Sequence, residues 1–140
     1  MKLVLDANIF LNVIFAEKGF LESSKKLLKL IEQKKFKAYI SSVTLSEIIW
    51  VVHKESGYKK AKEVSSYLKE LFELGLIKVV PLDEGIVFRA LDFIEKYRLS
   101  LVDSLVLSTA VNVKANILVT RDESFKKVKE IKIRIPDELV

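Results

Sequence analysis

The sequence contains no cysteine, only 2 prolines and only 4 glycines among its 140 residues. Without cysteine the chain forms neither a disulfide nor a thiolate metal site, so disulfide scaffolds and cysteine-ligated zinc folds are excluded. The scarcity of proline and glycine leaves no segment that reads as a linker. Hydrophobic residues make up 50% of the chain, which is enough for a sizeable core. We therefore expect a single domain that spans residues 1–140.

Long hydrophobic runs are also missing. The longest uncharged apolar stretches, such as Ile48 to Val52, fall far short of the roughly 20 residues that are needed to cross a bilayer. The start, Met1 to Leu5, is followed at once by Asp6 and lacks the cationic region, the long apolar region and the cleavage site of a signal peptide. We therefore expect a soluble, cytoplasmic protein that makes no membrane contact.

The charge balance is only modestly basic. Lysine and arginine number 24 against 19 aspartates and glutamates, giving a net charge of +5 and a pI near 9.3. Such an excess helps a surface to attract a polyanion. Lysine clusters such as Lys25, Lys26 and Lys29 are, however, more often solvated helix faces. The charge permits a nucleic-acid substrate without establishing one.

Hydrophobic periodicity predicts short apolar strands that alternate with amphipathic helices. Strands are predicted at Lys2–Leu5, Ala38–Ile40, Ile77–Val80, Ile117–Thr120 and near Ile131–Ile135. Helices are predicted at Ala7–Ala16, Leu21–Gln33, from Ser42 or Thr44 to Gly57, at Tyr58–Leu74, Glu84–Tyr97 and Leu101–Lys114, and, as a short one, near Glu123–Lys127. Short strands separated by helices pair in parallel through right-handed crossovers. The sequence therefore predicts an α/β fold, a three-layer α/β/α sandwich around a mostly parallel sheet.

Four acids recur where an apolar run meets the start of a helical pattern. They are Asp6 in LVLDANIF, Glu47 in VTLSEIIWVV, Asp103 in LSLVDSLVLSTA and Asp122 in ILVTRDESF. In parallel sheets, ligand sites lie at the carboxyl ends of the strands. Asp6 and Asp122 directly follow predicted strands, and the helices that carry the other two could open at the same edge. Carboxylates gathered there would make an oxygen-only site, which suits Mg²⁺ or Mn²⁺ better than zinc.

Each of these acids could instead cap a helix. Asp6 and Asp122 stand at N-cap positions, the segment Thr44–Glu47 fits a capping box, and Ser100–Asp103 resembles one. The surroundings of the two helical acids favour a ligand role, because each is the only charged residue in a long apolar stretch. A carboxylate in such a stretch is costly to bury unless something pairs with it, and no lysine or arginine is nearby in the sequence. A metal ion would supply the missing partner.

The motifs LDANIFL, SEI, LSLVDSLVLSTA and ILVTRDESF, taken in this order, resemble the PIN domain family and, within it, the toxin-like branch of the VapC type. The resemblance covers essentially the whole chain. It implies that four acids form both the metal site and the catalytic site, namely Asp6, Glu47, Asp103 and Asp122. Asn8 and Thr120 match polar positions that support the site. Ser104 departs from the alanine that is common after the third acid, and Asp122, at the most variable position, could orient a water instead of touching metal.

The resemblance also implies an activity, hydrolysis of RNA phosphodiester bonds with Mg²⁺ or Mn²⁺. The protein would be a metal-dependent endoribonuclease and the toxin of a toxin–antitoxin pair, silenced by a small antitoxin whose C-terminal segment lies along a groove towards the acids. A metal-free ribonuclease typically uses a general acid and a general base, often two histidines, whereas the chain has one, His53, which is read as a helix-face residue.

Two alternatives to a toxin stay open. One is a catalytically silent PIN-like module that binds nucleic acid or protein. The other is a housekeeping RNA-processing nuclease without an antitoxin. The retention of all four acids argues against the silent module, because carboxylates repel phosphate unless metal is bound.

The helices Ser42–Lys54 and Tyr58–Leu74 carry many apolar residues, which either lie in the core or, if one sheet face cannot cover them all, form a homodimer surface. The resemblance implies a homodimer as well. The residues concerned include Trp50, Val51, Tyr67, Leu68, Leu71, Phe72 and Leu74. Trp50 is expected in the core or in an interface. Arg121 either contacts a substrate phosphate or forms an ion pair with Asp122 or Glu123.

Overall fold

A parallel sheet of five strands runs through the protein, in the order β3-β2-β1-β4-β5. The computed structural model describes residues 1–140. The strands are β1 (Lys2–Leu5), β2 (Lys37–Ser41), β3 (Ile77–Val80), β4 (Ile117–Val119) and β5 (Lys132–Arg134). The first strand lies at the centre, where Val4 pairs with Tyr39 of β2 and with Leu118 of β4. The later strands therefore lie on both sides of β1, with β2 and β3 on one side and β4 and β5 on the other.

Helices cover both faces of this sheet. They are α1 (Ala7–Ile14), α2 (Leu21–Glu32), α3 (Ser42–Glu73), α4 (Glu84–Tyr97) and α5 (Leu101–Asn112). Two 3₁₀ turns, Glu123–Phe125 and Pro136–Glu138, follow β4 and β5. The arrangement confirms the predicted three-layer α/β/α fold, with a sheet that is entirely parallel. No helix of the protein is both long enough and apolar enough to span a membrane.

Alternating strand residues build two separate cores. Leu3 and Leu5 face the core that α1, α2 and α3 cover, whereas Val4 between them faces the core under α4 and α5. All three side chains are fully buried. Burial of each such side chain stabilises the fold by roughly 1.5–3 kcal/mol relative to exposure. Because β1 is buried on both sides, it reads in the sequence as a continuous apolar run rather than as an alternating one.

The long helix α3 is bent at Gly57. The sequence predicts two helices here, and the structure joins them through Gly57, whose backbone has φ +86° and ψ 179°. Residues with a Cβ rarely adopt a positive φ, so glycine is the residue that this bend requires. The two arms of α3 consequently enclose an angle, and their inner faces lie opposite each other.

Several predicted elements end earlier in the structure. The first helix ends at Ile14 rather than Ala16, because Ala16 takes a left-handed conformation with φ +47°. Strand β4 ends at Val119, and Thr120 beyond it turns into the polar edge of the sheet. The short helix expected near residues 123–127 is a single 3₁₀ turn. These differences leave the order of the elements unchanged.

Candidate functional site

The structure brings the four predicted acids together at the carboxyl edge of the sheet. Asp6 follows β1, Asp122 follows β4, Glu47 lies in the second turn of α3 and Asp103 in the first turn of α5. Every pair among them is close enough that the charge of one raises the pKa of a neighbour. The parallel topology explains this, since it directs the ends of β1 and β4 to one place.

Asp6 is the buried centre of the group, with 5% of its surface exposed. Its Oδ1 accepts a hydrogen bond from the backbone N–H of Ala7 at 2.8 Å, and its Oδ2 accepts one from the Thr120 hydroxyl at 2.7 Å. The Asn8 amide donates to the same Oδ2 at 3.3 Å and to the Thr120 hydroxyl at 3.2 Å. The two residues predicted to support the site therefore contact Asp6 and fix the orientation of its carboxylate.

Ser124 links two of the other acids. Its hydroxyl oxygen lies 2.7 Å from Asp122 Oδ1 and 3.3 Å from Asp103 Oδ2, so its single proton can serve either carboxylate. Ser124 is not among the residues predicted from the sequence. A signal was present, because a serine two positions after an aspartate is typical of a local turn, and here the Ser124 backbone N–H donates to Asp122 Oδ1 at 2.9 Å.

Two of the four acids cap a helix and also belong to the site. Asp6 caps α1, and Asp122 caps the following 3₁₀ turn. The proposed capping box at 44–47 is wrong, because Ser41 caps α3 and the buried hydroxyl of Thr44 has no partner. Glu47 therefore has no capping role. In α5 the cap is Ser100, which accepts a hydrogen bond from the Asp103 backbone N–H at 3.1 Å.

The acids have no cationic partner in the protein. Burial raises the pKa of Asp6 to about 6, and the charges of Glu47 and Asp122 add to the effect, while hydrogen bonds from Thr120 and Ala7 oppose it. Burial, with the charges of Asp122 and Asp6, raises the pKa of Asp103 to about 6. The pKa of Glu47 is raised by burial and by Asp103. None of the four belongs to any of the ion pairs of the protein.

The chemistry of these donors fits a hard divalent cation. All four side chains offer oxygen, their charges repel one another, and no lysine or arginine neutralises them. As the side chains stand, no three acidic or histidine groups converge into a closed ligand set. Glu47 and Asp103 are only partly buried and Asp122 is exposed, so these carboxylates have room to rotate towards an ion, whereas Asp6 is fixed.

Arg121 turns away from the acids. Its guanidinium pairs with Asp137 at 2.9 Å and donates to Asn12 Oδ1 at 2.9 Å. The expected ion pair with Asp122 or Glu123 is therefore wrong. The other expectation, contact with a substrate phosphate, also finds no support, because only 12% of the side chain is exposed.

A second feature of the surface is an apolar cleft of about 550 Å³ between the two arms of α3, which we call the elbow cleft. It is lined by Leu45, Ser46, Ile49, Trp50, His53, Tyr58, Ala61, Lys62 and Ser65. Trp50 is 61% exposed, so the expectation of a core position is wrong, and the Lys54 ammonium lies 4.4 Å from its ring centroid. One of its lining residues, Ser46, directly precedes Glu47 in the chain.

Comparisons of the sequence identify its relatives. A family model described as the PIN domain matches residues 3–131. A protein of Methanocaldococcus jannaschii named Ribonuclease VapC2 is 28% identical over 141 aligned positions, which cover 94% of this chain and 92% of that protein.

Solved structures share the fold. The crystal structure of VapBC2 from Rickettsia felis, bound to a DNA fragment from its promoter, matches with a TM-score of 0.75 and 20% identity, covering 96% of this chain and 98% of that one. VapC20 from Mycobacterium tuberculosis, described as a sarcin-ricin loop cleaving toxin, matches with a TM-score of 0.68 and 14% identity, covering 93% and 98%. At these identities the likeness establishes the fold alone.

Proposed function

The chain belongs to the PIN domain family, and on that premise we propose that it is a divalent-metal-dependent endoribonuclease that acts as the toxin of a toxin–antitoxin pair. One observation carries the proposal: four carboxylates share the carboxyl edge of the sheet without a single cationic partner. The relative from M. jannaschii, which matches almost end to end, is named as a ribonuclease and supports the choice of RNA.

In this proposal Asp6, Glu47, Asp103 and Asp122 hold one or two Mg²⁺ or Mn²⁺ ions. When bound, such ions lower the pKa of a water and neutralise charge on the leaving oxygen of a phosphodiester. Asp6 provides the fixed carboxylate, because Asn8 and Thr120 hold both its position and its orientation. Hydrolysis by water would leave 5′-phosphate and 3′-hydroxyl ends.

We also propose a small antitoxin as the partner, and the elbow cleft as its binding site. Apolar residues such as Leu45, Ile49 and Trp50 line the cleft, and Lys62 adds positive charge. This chemistry fits an apolar segment that carries acidic residues. Because Ser46 of the cleft directly precedes Glu47 in α3, we propose that one end of the bound segment lies near the acids and covers them. Solved toxin–antitoxin complexes of similar fold support this choice of partner.

A homodimer is the third part of the proposal, and the structure changes the surface that we assign to it. Leu68 and Leu71, which the sequence analysis placed on the dimer surface, are buried in the core. Trp50, Tyr67 and Leu74 of the predicted surface are exposed. A second, contiguous exposed apolar group lies on α4, where Val87, Phe88 and Leu91 are 46%, 74% and 65% exposed. We call these three residues the α4 patch and propose that two copies meet there.

The decisive experiment is cleavage of end-labelled structured RNA by the purified protein with Mn²⁺ or Mg²⁺, beside EDTA and beside an Asp6→Asn variant. We expect cleavage that EDTA and Asp6→Asn both abolish, while Asp92→Asn, a matched change at an exposed acid of α4, leaves it intact. Binding of several RNAs without cleavage in either metal would favour the silent module. Cleavage that persists in EDTA would contradict the proposed mechanism.

A further inference from the structure

We propose that Arg121 is a positioning residue, which holds the segment 120–122 in place and thereby sets the metal affinity of the acids. The inference rests on the proposed function, since it presumes that the four acids bind metal. Arg121 itself touches none of them. Its neighbours in the chain are Thr120, which donates to Asp6, and Asp122, the most exposed of the four acids.

The side chain of Arg121 is anchored on three separate elements. Its Nε donates to Asn12 of α1 at 2.9 Å, one Nη donates to Ser23 of α2 at 2.7 Å, and the other donates to Asp137 of the C-terminal 3₁₀ turn at 2.9 Å. Its guanidinium also lies 4.5 Å from the ring centroid of Phe20. Contacts of this number and direction fix the whole side chain, and with it the Cα position.

The backbone N–H groups of Arg121 and Asp122 are bonded on the opposite side, to the two polar residues that hold Asp6. The Arg121 backbone N–H donates to Asn8 Oδ1 at 3.2 Å, and the Asp122 backbone N–H donates to the Thr120 hydroxyl at 3.0 Å. The segment is thus held between an anchor on one side and the acids on the other. Asp122 has no ion pair, so its place depends on this backbone and on the hydrogen bonds that it accepts from Ser124.

Arginine is suited to this task and lysine is not. A planar guanidinium offers five donors in fixed directions, and here they reach residues on three elements, whereas an ammonium is a point charge on a flexible stem. We therefore expect Arg121→Lys to retain the pair with Asp137 and to lose the contacts to Asn12 and Ser23 together. Groups that orient metal ligands typically change metal affinity by about 10–100-fold when they are removed.

The test is the affinity for Mn²⁺, measured by titration calorimetry on folded protein without RNA. We expect Arg121→Met to weaken Mn²⁺ binding about tenfold or more and Arg121→Lys to lie between it and the wild type. Lys96→Met is the matched control, because it removes the cation of another ion pair, with Glu130 at 3.1 Å, that includes none of the four acids. It should bind Mn²⁺ as the wild type does. Circular dichroism at the titration temperature establishes that each variant is folded.

A double-mutant cycle with Asp122→Asn separates positioning from general destabilisation. If Arg121 acts through its neighbours, Arg121→Met should weaken Mn²⁺ binding much less in the Asp122→Asn background than in the wild type. Asp137→Asn, which keeps Arg121 and loses one exposed charge, should give a smaller loss and serves if Arg121→Met does not fold. Wild-type affinity in folded Arg121→Met or Arg121→Lys, beside weakened binding by Asp122→Asn, would overturn this inference and leave the proposed function standing. Absence of Mn²⁺ binding by the wild type would overturn both.

Discussion

The carboxylate of Asp6 is under two opposing influences. Burial disfavours its charged form, while hydrogen bonds from the Ala7 backbone and the Thr120 hydroxyl favour it, and the balance leaves its pKa at about 6. The metal-free protein therefore holds a carboxyl group that ionises only around pH 6, well above the range of an ordinary aspartate. Such a group costs stability in the absence of a cation and stabilises the fold when a cation is bound.

A pH dependence of stability follows from this residue. The folded pKa of Asp6, about 6, lies above its ordinary value of 3.8, so the folded state binds more protons than the unfolded state between these values. We expect the metal-free protein to lose on the order of 3 kcal/mol of stability as the pH rises from about 4 to above 6. Urea denaturation across this range measures it.

Asp6→Asn provides the control for that prediction. The variant should reduce this dependence without abolishing it, because the pKa of Asp103 is also raised to about 6. At pH 7 it should stabilise the metal-free protein by about 1–2 kcal/mol, after the loss of one hydrogen bond, and so raise the melting temperature by a few degrees. A dependence that is unchanged in Asp6→Asn would assign it to other groups.

A second prediction concerns Thr120, whose buried hydroxyl is both a hydrogen-bond donor and an acceptor. It donates to Asp6, and it accepts from Asn8 and from the Asp122 backbone N–H. Thr120→Val keeps the shape, but it leaves the Asp122 backbone N–H without its acceptor and Asp6 Oδ2 with only the longer hydrogen bond from Asn8. We therefore expect a loss of about 1–3 kcal/mol of stability. Guanidinium denaturation measures the loss. Thr120→Ser retains the hydroxyl and should lose less.

The residues of the site differ in how far the sequence could indicate them. Parallel topology brings together the residues that follow strand ends, which here are Asp6, Asn8 and Thr120. The partners of Arg121 could not be predicted, because Asn12 and Ser23 lie about a hundred positions away in the chain and only the packing of α1 and α2 brings them near. The contact between Ser124 and Asp103 could not be predicted either, because it depends on the local turn that directs the serine side chain towards Asp103.

At the scale of elements, the sequence predicted the helices and strands in their correct order and mostly within two residues. The prediction succeeded because five short apolar strands alternate with amphipathic helices, and the two kinds of element have different hydrophobic patterns. Their ends were harder to predict. Ala16 leaves α1 through a positive φ without being glycine, which no residue preference would favour. The break at Gly57 and the helix on each side of it were both predicted, whereas the direct joining of the two helices at the glycine was not.

The bend of α3 gives a third prediction. At Gly57 a Cβ would meet no atom within 4 Å, but φ is +86°, so Gly57→Ala should destabilise the protein by about 1 kcal/mol through backbone strain alone. Chemical denaturation measures this loss.

Gly85 is the matched position in α4, where φ is ordinary and the added Cβ would lie 3.4 Å from Asp83 Oδ1. Gly85→Ala should be neutral or slightly stabilising because alanine has the higher helix propensity. Equal effects at both positions would contradict an explanation by backbone strain.

For the whole molecule, the α4 patch predicts the state of association. One chain has a mass of 16.0 kDa, and we expect light scattering after gel filtration to give about twice that mass. A stable interface buries roughly 800 Å² of each partner, and Phe88 is the most exposed residue of the patch. Phe88→Glu should therefore yield monomers.

Trp50→Glu distinguishes the two exposed apolar surfaces. It should leave the dimer intact, because Trp50 lies in the elbow cleft rather than on the α4 patch. Monomers from Trp50→Glu, with dimers from Phe88→Glu, would return the dimer interface to α3, where the sequence analysis had placed it.

The order of the strands also determines when the acidic group can assemble during synthesis. The central strand β1 is made well before its second neighbour, β4, and before the acid that follows β4. Asp6 receives its hydrogen bond from Thr120 across 114 positions of the chain. A chain that has been synthesised only as far as β4 therefore still lacks Thr120 and Asp122, and with them one side of the acidic group. The strand order thus makes the site depend on two distant parts of the chain, so a truncation before Thr120 would remove part of the site while leaving β1 intact.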